Sequence, residues 1–158
     1  MKKCNKKIRK RIAAFSGALL IGAVSLSPNV MAGDTSNTSW SYSFATGGST
    51  YAAGVGREKL DTTSVYMSCT GVESLISSGS VSGVSYKGTA HGAASLNGTY
   101  SNISYNGKNS PTYTITKDKK QYLINYIKEG GKKYANIYCQ PGNGGYLKFS
   151  GWWSPDSK

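Results

Sequence analysis
The chain has 158 residues, with 19 lysines and arginines against seven acidic residues, three cysteines and one histidine. That length holds one domain of ordinary size rather than several. So few cysteines and a single histidine argue against a metal centre, and the formal net charge of +12 must be located along the chain before it is read as a nucleic-acid footprint.

The opening MKKCNKKIRKR carries seven basic residues and no acidic one, and IAAFSGALLIGAVSL follows it as a continuous apolar and small-residue run from Ile12 to Leu26. A basic segment before an apolar run is the pattern of an export signal. Ser27 and Pro28 break the run, and Val30-Met31-Ala32 before Gly33 offers compact residues where a signal peptidase reads, which predicts cleavage between Ala32 and Gly33. The apolar run is fifteen residues long, short of the about twenty that a spanning helix needs. A stable transmembrane anchor is therefore not expected. Cys4 lies before the apolar run rather than after it, so lipidation is not expected either.

The predicted organisation is a signal peptide over 1–32 and a secreted β-rich domain over 33–158. Seven basic residues leave with the signal, so twelve remain against seven acidic ones, a net of +5. That mild excess is spread over the chain and suits an anionic cell surface, wall polymer or lipid headgroup, better than nucleic acid. Ordinary solubility is the plain alternative.

Two cysteines remain, Cys69 and Cys139. Val65, Met67 and Cys69 alternate in SVYMSC, as do Ala135, Ile137 and Cys139 in YANIYC, so both sulfurs are expected on the inward faces of strands. In an oxidising space the natural state of such a pair is a disulfide, worth about 4 kcal/mol for a loop of about 70 residues. Two reduced core cysteines are the competing reading.

Along the secreted part, Gly33–Thr38 reads as a polar, disordered lead-in. Trp40, Tyr42 and Phe44 alternate with serines, the period of a half-buried strand. A loop or short bulged strand is expected around Tyr51, between Gly47-Gly48 and Gly54-Val55-Gly56, and a strand from Thr62 to Cys69. The Ser-, Gly- and Asn-rich middle, Ser77–Pro111, reads as short strands with hairpin turns at Asn97-Gly98 and Asn106-Gly107, or as partly disordered. QYLINYIKEGGKKYANIYC reads as two strands of one hairpin about Gly130-Gly131, and YLKFSGWW as the final strand. No helical period occurs in this part. The expected fold is all-β, a small antiparallel β-sandwich or barrel.

Catalysis finds little support. His91 lies in GTAHGAAS, and Asp61, Asp118 and Asp156 occupy charged or turn contexts, so neither a Ser-His-Asp set nor a carboxylate pair is legible. His91 reads as an incidental surface residue, and Glu58 and Asp61 about Lys59 as a solvated turn. No enzyme activity and no cofactor are expected.

Binding is better supported. Twelve tyrosines and three tryptophans exceed the needs of so small a core, and exposed rings beside lysines can stack on sugars or sit at an interface. The densest cluster is in GGYLKFSGWWSPD, which makes Tyr146, Lys148, Trp152 and Trp153 the candidate binding surface. Strand alternation turns Trp152 and Trp153 opposite ways, so at most one belongs to the core.

REKLDTTSVYMSC, YLINYIKEGGKKYANI and the ending SGWWSPDS resemble segments of small exported proteins of Gram-positive bacteria grouped as the DUF2712 family, of unknown function. SWSYSF gives a fainter similarity to lactococcin 972-like bacteriocins, which implies antibacterial action. Together these readings predict a secreted, extracellular, cationic β protein acting at bacterial cell envelopes in a bacteriocin-like way. Its partner would be an anionic wall polymer or lipid. The alternative is a non-toxic module that binds an extracellular glycan or protein.

Overall fold
The structure, a computed structural model, describes residues 33–44, 51–77, 79–143 and 146–157, with Tyr51 described by its backbone alone. The expected signal peptide, Ala32 and Cys4, Gly47-Gly48 and Gly144-Gly145 lie outside the described residues. Eleven strands occur among them and no helix.

One sheet is built from β1 (Thr38–Phe44), β4 (Val65–Ser74), β9 (Lys120–Leu123) and β11 (Leu147–Ser154), in the order β1-β11-β4-β9. The second holds β2 (Tyr51–Ala52) and β3 (Arg57–Glu58) along one side of β10 (Tyr134–Asn143), then β5 (Ser85–Ala93) and β8 (Tyr113–Thr116). A ribbon of β6 (Ser104–Tyr105) and β7 (Lys108–Asn109) stands apart. Every pairing is antiparallel, and both main sheets keep open edges. The fold is therefore a sandwich, not a closed barrel.

Period-two alternation sends one apolar row of each sheet inward. From the first sheet come Trp40, Phe44, Val65, Met67, Leu123, Phe149 and Trp153; from the second, Tyr86, Ala90, Ile115, Ala135 and Ile137. The layers interlock through Tyr86 of β5, whose ring lies 5.4 Å from Trp40 and 4.9 Å from Phe149, both tilted. Such aromatic pairs add about 1 kcal/mol each beyond their buried area.

The expected strand at Trp40–Phe44 is present; that expected from Thr62 to Cys69 begins at Val65, after bends at Asp61–Thr63, and runs five residues further, to Ser74, and that expected over Tyr146–Trp153 begins at Leu147. At β6–β7, Asn106 (φ 49°) and Gly107 (φ 73°) form the expected tight turn, since consecutive left-handed residues match the twist of a two-residue hairpin. Asn97-Gly98 lies at a wider reversal, closed by a single antiparallel bridge between Gly92 and Ser101 rather than by a tight two-residue hairpin. The run about Gly130-Gly131 is a larger correction: β9 pairs with β4 in the first sheet and β10 with β5 in the second. Ile124 to Lys133 form the crossing between the layers, with Ile127 fully buried beneath it. Turn chemistry shows where a chain reverses, not which sheet it re-enters.

The lead-in is anchored rather than disordered. The Asp34 amide donates to Asp156 Oδ2 at 2.7 Å, and Arg57 forms an ion pair with Asp34.

The cysteines also depart from expectation. Cys69 and Cys139 both point into the core from opposite sheets, as the alternation predicts, but both are free thiols. Alternation sets the direction of a side chain and not the separation across the sandwich. The two thiols come near enough for the charge of Cys69 to raise Cys139, yet no bond joins them. Cys69 Sγ instead contacts the Gly71 carbonyl at 3.6 Å.

Candidate binding surface
The outer face of the first sheet collects the side chains that alternation turns away from the core. β11 contributes Lys148, Ser150 and Trp152, β1 contributes Ser39 and Ser41, β4 contributes Tyr66, Ser68 and Thr70, and β9 contributes Lys120 and Tyr122. Register places Trp152 opposite Ser39 on one side and Ser68 on the other. Flanked by two small hydroxyl side chains, the indole stays 47% exposed. Tyr66 pairs with Tyr122 across β4 and β9, their ring centres 5.9 Å apart.

A bulge in β4 shapes this face. Cys69 and Gly71 oppose the consecutive residues Gly151 and Ser150, which leaves Thr70 unpaired and turns it outward, as bulges commonly do at binding surfaces. Gly151 is required there. A β-carbon would run into the Ser68 carbonyl and lie 3.0 Å from Trp40 Nε1, which itself donates to that carbonyl at 3.0 Å.

Three shallow concavities share these residues and run together across the strands. The first, about 370 Å³, lies between Ser41, Lys148 and Trp152; the second, about 330 Å³, between Thr70, Trp152, Asp118, Lys119 and Lys120; the third, about 300 Å³, between Tyr66, Lys120, Tyr122 and Asn37. Lys119 and Lys120 are exposed beside the aromatic rings. Lys148 is paired with Glu73 at 3.1 Å, a surface contact of small worth.

The four expected surface residues therefore divide. Trp152 lies at the centre of the face, and Lys148 borders it. Tyr146 is exposed but precedes β11, in a left-handed conformation (φ 54°) that takes it out of the strand carrying Trp152. Trp153 is wholly buried and belongs to the core, so it is no part of a binding surface. Tyr66, Thr70, Lys119, Lys120 and Tyr122 are the residues that the sequence reading missed. The outward direction of Tyr66 was implicit once Val65 and Met67 were placed inward. Its meeting with Tyr122 depends on β9 joining β4, which no local pattern announces.

Two other groups differ from their expected settings. His91 on β5 is half-buried and stacks on Tyr138 with ring centres 4.0 Å apart, and burial pushes its pKa down. Lys59 is not in a solvated turn. Its side chain is fully buried and donates to Asp156 Oδ1 at 2.8 Å and to the carbonyls of Thr63 and Pro155, each at 2.7 Å.

Residues 28–157 match the profile of a family described as a protein of unknown function, DUF2712. The chain belongs to this family. The match takes in every described strand and the whole outer face of the first sheet. No curated protein and no solved structure matches the chain, and nothing supports the fainter likeness to lactococcin 972-like bacteriocins.

Proposed function
We propose that the chain is exported through a cleavable signal over 1–32. Its domain then acts outside the cell as a non-enzymatic binding protein for an anionic wall polymer of Gram-positive bacterial envelopes. The observation that carries this reading is the exposed Trp152, set between serines and continuous with the Tyr66–Tyr122 pair and the lysines 119 and 120. Sugar rings stack on indole and phenol faces, serine and threonine hydroxyls meet sugar hydroxyls, and ammonium groups attract phosphate or carboxylate. A sugar polymer is favoured over a lipid headgroup because the exposed rings are set among serine and threonine hydroxyls. Bacteriocin-like killing is the strong form of the same reading and is scored on the same cells.

The test uses purified Gram-positive cell walls before and after chemical removal of their phosphate-bearing polymers. The secreted protein is expected to bind intact walls at low salt, to lose binding as salt screens the charges, and to bind stripped walls weakly. Trp152→Ala should weaken binding about tenfold, the equivalent of one stacked ring. Failure to bind intact walls at low salt, or undiminished binding by Trp152→Ala, would overturn the reading. Clear zones on a lawn of related cells would add the bacteriocin-like activity.

A further inference from the structure
Gly33 sits against two carboxylate side chains, and its position has no room for any other residue. A β-carbon there would collide with Asp61 Oδ2 and lie 2.6 Å from Asp156 Cβ. The main chain is held in place on both sides. Asp34 donates its amide to Asp156 Oδ2 at 2.7 Å, its carbonyl accepts from the Asp156 amide at 3.3 Å, and the Thr35 amide donates to the Gly33 carbonyl at 2.9 Å.

Charge around this point is unbalanced. Among the described residues Lys59 is the only ammonium in the cluster, 2.8 Å from Asp156 and 3.8 Å from Asp61. Arg57 is occupied by Asp34, and the field of Glu129 also reaches Lys59. Asp61 Oδ1 accepts from the Thr63 amide and hydroxyl at 2.8 and 2.5 Å. Among the described residues no donor reaches Oδ2, the atom that faces Gly33. The Asp61 and Asp156 carboxyls also lie close enough to interact with each other, so two neighbouring carboxylates share one cation beside the residue where the expected cleavage creates a new chain end.

We propose that cleavage between Ala32 and Gly33 creates an α-ammonium that docks on Asp61 Oδ2 and the Asp156 carboxylate, a latch available only to the processed chain. The proposal rests on the export reading above. Hydrolysis adds one water across the Ala32–Gly33 peptide bond. The departing signal keeps Ala32 as a carboxylate, and the Gly33 nitrogen becomes an ammonium, whose ordinary pKa is about 8. In the precursor that nitrogen is a neutral amide and brings no charge. Processing therefore completes the balance of the cluster and favours the folded state on the outer side of the membrane.

The described residues from Gly33 onward contain the whole sandwich core, so a chain starting there is a fair test object. N-terminal sequencing of the secreted protein should begin at Gly33; another start removes the cleavage reading and the latch with it. Urea unfolding should then show the Gly33 chain to be about five-fold more favourably folded than the same chain begun at Ala32, the size of a partly exposed ion pair. The extra residue displaces the ammonium by about 3.8 Å. In Asp61→Asn the gap between the two chains should shrink, because only the Asp156 carboxylate then remains to hold the ammonium. Should that variant not fold, acylation of the α-amine in the unmutated chains serves instead, expected about five-fold slower for the Gly33 chain. A Gly33 start with equal stabilities or equal acylation rates overturns the latch and leaves the export reading standing, and so does a gap undiminished in Asp61→Asn.

Discussion
Lys59 and Asp156 form an ion pair with neither side chain exposed, 2.8 Å apart, and it ties the C-terminal Ser-Pro-Asp turn to the segment after β3. Burial alone would raise the Asp156 carboxyl, but hydrogen bonds from Lys59, the Leu60 amide and the Asp61 carboxyl, together with the charge of Lys59, hold it below the ordinary 3.8. Burial also pulls Lys59 down against the attraction of Asp156. Removing one partner leaves the other charge buried and unpaired. Lys59→Met should cost about 3–5 kcal/mol at pH 7 by urea unfolding.

The same pair governs acid stability. A carboxyl whose folded pKa is depressed stabilises fully above its unfolded value and loses that contribution as pH falls through the folded one. Asp34 is lowered too: its burial works upward, and Ser36 and Arg57 outweigh it. Stability should fall as pH drops below about 3.8. Asp156→Asn should be much less stable than the unmutated protein at pH 7, with the gap narrowing steadily as pH falls below about 3.8, which urea titrations at several pH values will show. A constant gap across that range would contradict the assignment.

His91 sets a second pH window. Burial holds its folded pKa below the ordinary 6.5, against a smaller upward pull from the Tyr100 backbone. A proton therefore binds the unfolded chain more readily, so His91 costs nothing above pH 6.5 and stability declines as pH falls from there toward the folded value. His91→Phe keeps a ring stacked on Tyr138 and should flatten the melting temperature between pH 5 and 7. Calorimetry across that range decides it.

The adjacent tryptophans should respond in opposite ways. Trp153 is fully buried beneath the Arg57 guanidinium, 5.7 Å from its ring, so Trp153→Ala should cost about 3–5 kcal/mol. Trp152→Ala should change stability by no more than about 0.5 kcal/mol and act on wall binding instead. Equal losses of stability would mean that the outer face is packed rather than open.

The thiols should be silent until the protein unfolds. Burial pushes Cys69 up to about 11 and Cys139 well above 9.0, and only a thiolate attacks a disulfide reagent. In the chain from Gly33, an aromatic disulfide reagent at pH 8 should find no reactive thiol in native protein and two in guanidinium. None in guanidinium would mean that the pair is bridged after all.

The strands at Trp40, Val65–Cys69 and Leu147–Trp153 were legible because each alternates apolar and polar residues, and alternation directly encodes which side chains face a core. It placed both cysteines inward and turned the two tryptophans apart. Partnership between strands was not legible. The runs about Gly130-Gly131 read as one hairpin, yet they enter different sheets, because nothing near the turn records that β4 and β5 are the partners awaiting them. Tyr66 and Tyr122 meet for that reason alone, and Lys119 and Lys120 come beside Trp152 with them. The burial of Lys59 was equally hidden: its partner Asp156 lies 97 residues away, and a lysine flanked by acids carries no local mark that it will leave water. The sequence by itself determined which residues face inward, since that follows from the two-residue repeat of an extended chain. Only the tertiary structure decided which outward residues share one face and which charges are buried together, because both depend on contacts between segments far apart in the chain.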